Sequence, residues 1–281
     1  MSNIKRLFLF AGYDKDGIID DALVYYIKTL SKFGDVILCM DSNCPVSELN
    51  KVNKYTIARM GRRHYEYDFG SYKRAYEYAK KHDILRNYDV LYLVNDSVYG
   101  PTIALNKTIA NIEKLPTDAS GMVVSKHKTH EFMESWFVRL NKNVFTSDWF
   151  DDFITSVTRQ TDKTLVTIKY EHGLSNLIKN NGCTWSGVYE FHGRYTYNNP
   201  TKLFKKGCPF IKKSSFVRHN GALGFEINYV LKHCDKTASR AIINSANHTY
   251  TRKYVSWLLT KNPLSVFLRG AKYAIQKSRK K

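Results

Sequence analysis

The five cysteines of this 281-residue chain (Cys39, Cys44, Cys183, Cys208, Cys234) contain no Cys-x-x-Cys pair. An odd count without that spacing argues against a disulfide framework or a structural zinc site, and for a reducing, cytosolic setting. No apolar stretch reaches the roughly 18 residues that a membrane span needs. Lys5-Arg6 precede only a short apolar run that charge soon interrupts, which is not signal-peptide architecture. A Gly-x-x-x-x-Gly-Lys-Ser/Thr loop is missing, as is a Gly-x-Gly-x-x-Gly after the first strand, so phosphate-loop kinases and nicotinamide dehydrogenases are poor candidates. His-Glu-x-x-His and Gly-x-Ser-x-Gly are missing too.

Acidic residues are scarce in one region only. From Thr201 onward 18 Lys and Arg face just Glu226 and Asp235, a net +16, whereas the first 200 residues hold 26 basic and 23 acidic residues, a net +3. Such a division points to an anionic partner met by the C-terminal third. The final segment has helical form: Asn262 is an N-cap and Pro263 a first helical residue. Leu264, Phe267, Leu268, Ala271 and Ile275 fall on one side, with Ser265, Arg269, Lys272, Gln276 and Arg279 opposite. A basic amphipathic helix of this kind predicts an anchor at an anionic membrane surface. The expected division is therefore a main domain over residues 1–245 and a membrane-associating segment over 246–281.

The rest reads as an α/β fold. Leu7 to Ala11 and Asp35 to Met40 are strand patterns separated by a helix from about Asp20, which makes a β-α-β unit with a parallel pair. A strand near Tyr55 to Met60 and a helix opening at Tyr67 follow. Val90 to Val94 is a buried strand ending on Asn95-Asp96-Ser97, and Gly100-Pro101 suggests a helix over about Thr102 to Lys114. Gly121 to Ser125 and Ser135 to Leu140 are further strands, the second of antiparallel character. Ser147 caps a short helix, and Thr167 to Asn180 is a helix.

Ligands of open α/β sheets bind beyond the carboxyl ends of strands, where Asp96 stands between an amide and a hydroxyl. Asp14 after the first strand, Asp68 before a helix, Asp148 and Glu171 complete a set of acids suited to sugar transfer from a nucleotide diphosphate. That reaction needs neutralisation of the leaving diphosphate and a carboxylate to accept the proton of an acceptor hydroxyl. Oxygen ligands such as Asp96 suit Mg2+ or Mn2+, while Arg62, Arg63 or Lys73 could neutralise the phosphates instead.

The order of motifs resembles the rhamnan synthesis F family of bacterial glycosyltransferases. It does so at Tyr13-Asp14-Lys15-Asp16-Gly17-Ile18-Ile19-Asp20, Tyr67-Asp68-Phe69-Gly70-Ser71-Tyr72-Lys73 and Asn95-Asp96-Ser97-Val98-Tyr99-Gly100-Pro101. The likeness continues at Tyr170-Glu171-His172-Gly173-Leu174-Ser175 and from Asn199-Pro200 through Gly207-Cys208-Pro209-Phe210-Ile211-Lys212, covering roughly residues 5 to 220. It implies a GT-A-like, Rossmann-type mixed sheet flanked by helices, with a basic C-terminal helical extension. The implied donor is a nucleotide sugar such as dTDP-rhamnose, transferred with inversion. The implied acceptor is a polyprenyl-diphosphate-linked glycan at the cytoplasmic face of the membrane.

Carried over by position, Asp68 binds the nucleotide, Asp96 replaces the metal-binding Asp-x-Asp, and Glu171 is the acceptor-side base, with Asp148 a second catalytic candidate. Tyr13, Asp14, Gly70, Lys73, Asn95 and Ser97 join the donor-binding set. The chain departs from the family pattern with His64-Tyr65-Glu66 ahead of Asp68 and with one carboxylate where the metal motif has two. Two other classes compete. The +16 region is also a nucleic-acid footprint, though it holds no recognisable nucleic-acid-binding motif and none is expected to bind. The single carboxylate would also suit a non-catalytic scaffold.

Overall fold

The computed structural model describes residues 4–193, 195–217, 223–260 and 262–278. Arg279 and the last two lysines of the basic tail lie outside the described residues. The chain divides into two compact units, residues 1–19, 26–96 and 109–193 in the first and 20–25, 97–108 and 194–281 in the second. This differs from the division expected near residue 245. Ser245 lies inside the helix Lys236–Tyr250, buried, with its hydroxyl on the Asp20 carboxylate. The change in charge near Thr201 falls close to the boundary at residues 193/194 rather than near residue 245.

The first unit is built on one mixed sheet. Its strands are β1 (Arg6–Gly12), β2 (Asp35–Met40), β3 (Ala58–Gly61) and β4 (Val90–Asn95). After β5 (Val98–Tyr99), which belongs to the second unit, come β6 (Ala119–Lys126), β7 (Glu131–Met133), β8 (Phe137–Asn141) and β9 (Trp185–His192). Their order is β3-β2-β1-β4-β8-β6-β7, with β9 beside β6. The first four strands are parallel, as the β-α-β reading requires, and β8 is antiparallel to both β4 and β6.

β1 is apolar without alternation because both of its faces are covered. Leu7, Leu9 and Ala11 pack with Phe69, Tyr72, Ala75, Tyr76 and Ala79 of the helix Tyr67–Lys81. On the other face Phe8 stacks on Tyr92 at 4.8 Å, and Phe10 meets the edge of Tyr26 at 5.1 Å. At the amino end of the sheet Arg6 forms a two-pronged pair with Glu113 (2.6 and 2.8 Å), which also accepts from Tyr92 Oη (2.7 Å). Cys39 sits in this core, and burial pushes its thiol up to about 12. No two cysteines are bonded to each other among the described residues.

The second unit pairs β5 with β10 (Ile211–Lys212) in an antiparallel ladder. Two motifs far apart in sequence thereby become one structure. Thr102 N–H donates to Pro209 O at 2.7 Å. The expected helix after Pro101 starts later, at Asn106, because the segment is first committed to this ladder. Helices Leu223–His233, Lys236–Tyr250, Arg252–Leu259 and Pro263–Ser278 follow. Ile227, Val230, Ile242, Ala246, Val255 and Leu258 bury themselves around Tyr99 and Phe216. Asp235 caps the second of these helices, accepting from Thr237 N (2.8 Å) and Ala238 N (3.1 Å).

Gly100 has φ +147°, and a Cβ there would lie 2.5 Å from Pro209 O and 2.8 Å from Phe210 Cδ1. A Gly100→Ala variant is therefore expected to lose about 2 kcal/mol or more. Urea unfolding checks this, and an unchanged midpoint would contradict the packing described.

Candidate active site

Strand order reverses at β1: the chain runs outward to β2 and β3, then returns to β4 on the other edge. A crevice is expected at the carboxyl ends there. Backbone bonds bring three loops to it. Asp41 N–H donates to Gly12 O (2.8 Å) and Asp96 N–H to Ala11 O (3.1 Å). Tyr13, Asp41 and Asp96, at the exits of β1, β2 and β4, thus become neighbours along one edge.

Asp14 builds the loop after β1. Its Oδ1 accepts from Asp16 N (2.9 Å) and Ile18 N (3.0 Å), an Asx-type turn. Ser42 Oγ clamps the same residue's backbone, accepting from its N–H (2.9 Å) and donating to its carbonyl (2.6 Å). Tyr13 is 49% exposed, with its ring 4.7 Å from the Arg63 guanidinium. Arg63 also lies over Tyr65 (4.5 Å), whose ring is 4.9 Å from Arg159. Aromatic and cationic planes alternate through these four residues.

Asp41 holds the loop that carries this stack, and the sequence reading passed it over. It is 4% exposed. Its Oδ1 accepts from His64 N (2.7 Å) and Tyr65 N (2.9 Å), and its Oδ2 pairs with Arg63 Nη1 (3.1 Å). His64 Nδ1 accepts from Glu66 N (3.1 Å), which leaves Nε2–H to donate to Ser71 Oγ (3.0 Å). Burial lowers the His64 imidazole to about 4, against the opposing pull of Asp41. Glu66 in turn pairs with Arg74 at 2.7 Å. Tyr65 and Tyr67 have φ of +63° and +57°, backbone that non-glycine residues adopt at a cost. Gly70 admits this loop: a Cβ there would meet Glu66 Cβ at 2.2 Å and His64 Cε1 at 2.9 Å. The same rule that singled out Asp96, a carboxylate just past a buried strand, would have found Asp41.

A second cluster joins residues from three motifs. Asn95, buried at the end of β4, donates from Nδ2 to Asp68 Oδ2 at 2.9 Å. Glu171 Oε1 accepts from Ser135 N (2.7 Å) and Ser135 Oγ (2.8 Å). Tyr72 lies between, with its hydroxyl donating to Ser135 O at 2.9 Å. Burial raises the Tyr72 phenol well above its ordinary range, and the charges of Asp68 and Glu171 add to the effect. Ser135 thus joins the Tyr72 hydroxyl and the Glu171 carboxylate, while Asn95 holds Asp68. Glu171 belongs to a π-helical turn, Thr167–His172, inside an otherwise α-helical run, a distortion frequent at functional sites. From sequence alone the run Thr167 to Asn180 is expected to be plain helix.

Not every candidate arrives here. Lys73 Nζ donates to Val157 O (3.0 Å), tying down the loop after the helix Asp148–Thr155. Asp148 is exposed at the start of that helix, which crosses the far end of the Tyr67–Lys81 helix through an Asp151–Lys80 pair of 2.6 Å. Lys80 is about 18 Å along the helix axis from Asp68 at 1.5 Å per residue. Asp148 is an exposed first-turn acid behind the Ser147 cap, and no bond described here brings it to Asp68 or Glu171. Ser97 lies in the second unit, where its carbonyl accepts from Lys213 N (2.9 Å) and its hydroxyl from Lys212 Nζ (3.4 Å).

The rhamnan synthesis protein F family matches residues 36–273. This chain belongs to that family. The assignment covers the Asp41 loop, the Asp68–Asn95–Glu171 cluster and the basic helices, and it supports a glycosyltransferase. No curated protein matches the sequence. Among solved structures, a protein described as a nucleotide-diphospho-sugar transferase from Desulfovibrio desulfuricans G20 is similar at 14% identity and a TM-score of 0.43, covering 90% of this chain and 99% of its own. A197 from STIV is similar at 12% identity and a TM-score of 0.27, over 60% of this chain and 80% of its own.

The buried, neutral His64 makes stability depend on pH. Its folded value of about 4 is below the ordinary 6.5, so the unfolded chain binds the proton more readily. The contribution is complete above pH ~6.5 and is lost as pH falls toward ~4. Urea midpoints measured across that range should fall less steeply in His64→Gln than in the unaltered protein. Equal slopes would remove His64 as the cause.

Proposed function

We propose that this family member is a GT-A-type, inverting glycosyltransferase. It moves rhamnose from dTDP-rhamnose to a polyprenyl-diphosphate-linked polysaccharide at the cytoplasmic face of the membrane. One observation carries the reading: residues from separate motifs are tied together at the carboxyl end of the sheet, Asn95 holding Asp68 while Ser135 holds both Glu171 and the buried Tyr72. A reaction needing both a donor-side and an acceptor-side carboxylate fits such a pair.

Asp68, oriented by Asn95, binds the nucleotide part of the donor. Tyr13 and Tyr65, stiffened by Arg63, offer flat faces to a base, and Arg63 offers charge to phosphate. Asp96 has the hard oxygen donor that Mg2+ or Mn2+ prefers. A single carboxylate suffices when donor phosphates and water complete the shell. Such an ion, when bound, supplies positive charge to the departing diphosphate. Glu171, fixed through Ser135, accepts the proton of the acceptor hydroxyl. The hydroxyl oxygen bonds to the anomeric carbon while the carbon–oxygen bond to the diphosphate breaks on the opposite side. The nucleoside diphosphate leaves with the bonding pair, and the new linkage has inverted configuration.

Glu171→Gln keeps a carbonyl oxygen able to accept both Ser135 bonds, so it should leave the fold and donor affinity unchanged. Turnover of dTDP-rhamnose onto acceptor should drop about 10²–10⁴-fold. Asp68→Asn preserves the Asn95 bond yet should weaken donor binding about tenfold to hundredfold by calorimetry. Unimpaired turnover in the first variant would exclude Glu171 as the base, and unaltered affinity in the second would exclude Asp68 from the donor site.

A further inference from the structure

A terminal amphipathic helix ordinarily buries its apolar side. The helix Pro263–Ser278 does the reverse. Leu264, Phe267 and Leu268 are 67%, 71% and 55% exposed, while Arg269 on the opposite arc is 4% exposed. The cause lies in the end of the preceding helix, Arg252–Leu259. Arg269 Nη1 donates to Trp257 O (2.9 Å) and to Leu258 O, and its Nη2 approaches Thr260 O at 3.5 Å. These are the carbonyls that a helix C-terminus leaves without partners, and a cation suits them. Gly224 makes room, since a Cβ there would lie 2.1 Å from Leu258 O and 2.9 Å from Arg269 Nη1. Rotating the helix to bury Leu264 and Phe267 would pull the guanidinium off these acceptors. The apolar arc is held outward by a buried charge.

We infer that this arc inserts into the interface of an anionic lipid bilayer. Charge decides the occupant. Lys272 flanks the arc, and Lys202, Lys205, Lys206, Lys232, Lys236, Arg240, Arg252 and Lys253 are exposed in the same unit. Only Glu226 and Asp235 oppose them from Thr201 onward. A second copy of the chain would bring the same positive excess to the contact and be repelled. Nucleic acid would use the charge but leave the apolar arc wet. An anionic bilayer uses both, through shallow apolar insertion beside lysines and arginines at the headgroups. No described helix is long and apolar enough to cross a membrane, which agrees with a helix lying in the interface plane.

Flotation of the full chain with vesicles tests this. Association is expected with phosphatidylglycerol–phosphatidylcholine vesicles, weakening as salt rises, and not with phosphatidylcholine alone. The Phe267→Ser/Leu268→Ser double variant, altered only at exposed positions, should bind about tenfold more weakly or worse, with unchanged circular dichroism. Wild-type protein that stays below anionic vesicles would overturn the inference. A double variant that floats like wild type would overturn it equally, as would a wild-type dimer that the variant splits. Transfer to a water-soluble acceptor reads the catalytic carboxylates separately, so loss of flotation alone leaves the proposed reaction standing.

Discussion

β1 is bonded along both edges and covered on both faces, so a polar side chain inside it would be buried without water. The same holds for its parallel neighbours β2 and β4. Polarity can begin only where these strands end, and parallel strands all end on one side. Asp14, Asp41 and Asp96 follow the three strands within two residues and collect at that side for this reason. The hydrogen bonds that the Asp41 and Asp96 amides donate to the last residues of β1 fix their spacing. The helix Tyr67–Lys81 packs on the same strands and so delivers Asp68 to Asn95. The candidate site follows from the burial of the sheet.

That logic explains what was legible in the sequence. β2 and β4 are apolar runs with sharp polar ends, and their limits and the residues beyond them could be read directly. β9 could not be. Its residues are mostly half-buried, Gly187 interrupts them, and pairing with β6 rather than apolar demand makes them a strand. Asp148 is ambiguous for a related reason: an N-terminal acid that complements a helix dipole and an acid that meets a substrate look alike in sequence. Glu171 was legible as a motif, but its acceptance from Ser135 depends on β8 lying antiparallel to β4, which no local pattern encodes. The terminal helix was legible too, down to the Asn262 cap, which accepts from Leu264 N at 3.0 Å. Its orientation was not, because a single arginine outweighs the hydrophobic arc.

Two buried polar groups thus do similar work in different places. Asp41 gathers the amides of His64 and Tyr65 with the Arg63 guanidinium, and Arg269 gathers the carbonyls that end a helix. Each would cost several kcal/mol if left unpaired, and each removes alternatives that apolar packing would tolerate. A hydrophobic side chain at either position could keep the element in place without fixing its rotation. Here rotation matters. It decides whether the aromatic faces of Tyr13 and Tyr65 turn toward Arg63, and whether Leu264 and Phe267 turn toward solvent.

The Asp41 loop also carries strain. Tyr65 and Tyr67, on either side of Glu66, take left-handed backbone that costs about 1–3 kcal/mol each. An unsupported loop would relax to ordinary φ values. Asp41 prevents that at Tyr65 by accepting its N–H, and the Glu66–Arg74 pair holds the next turn against Gly70, where a methyl group would already clash. These bonds exist before any donor arrives, so the loop need not be ordered at the moment of binding. A preformed stack loses less conformational entropy to its ligand than a mobile one. The strain is therefore better understood as fixing Tyr13, Arg63 and Tyr65 in a receptive arrangement than as a spring for closing the site.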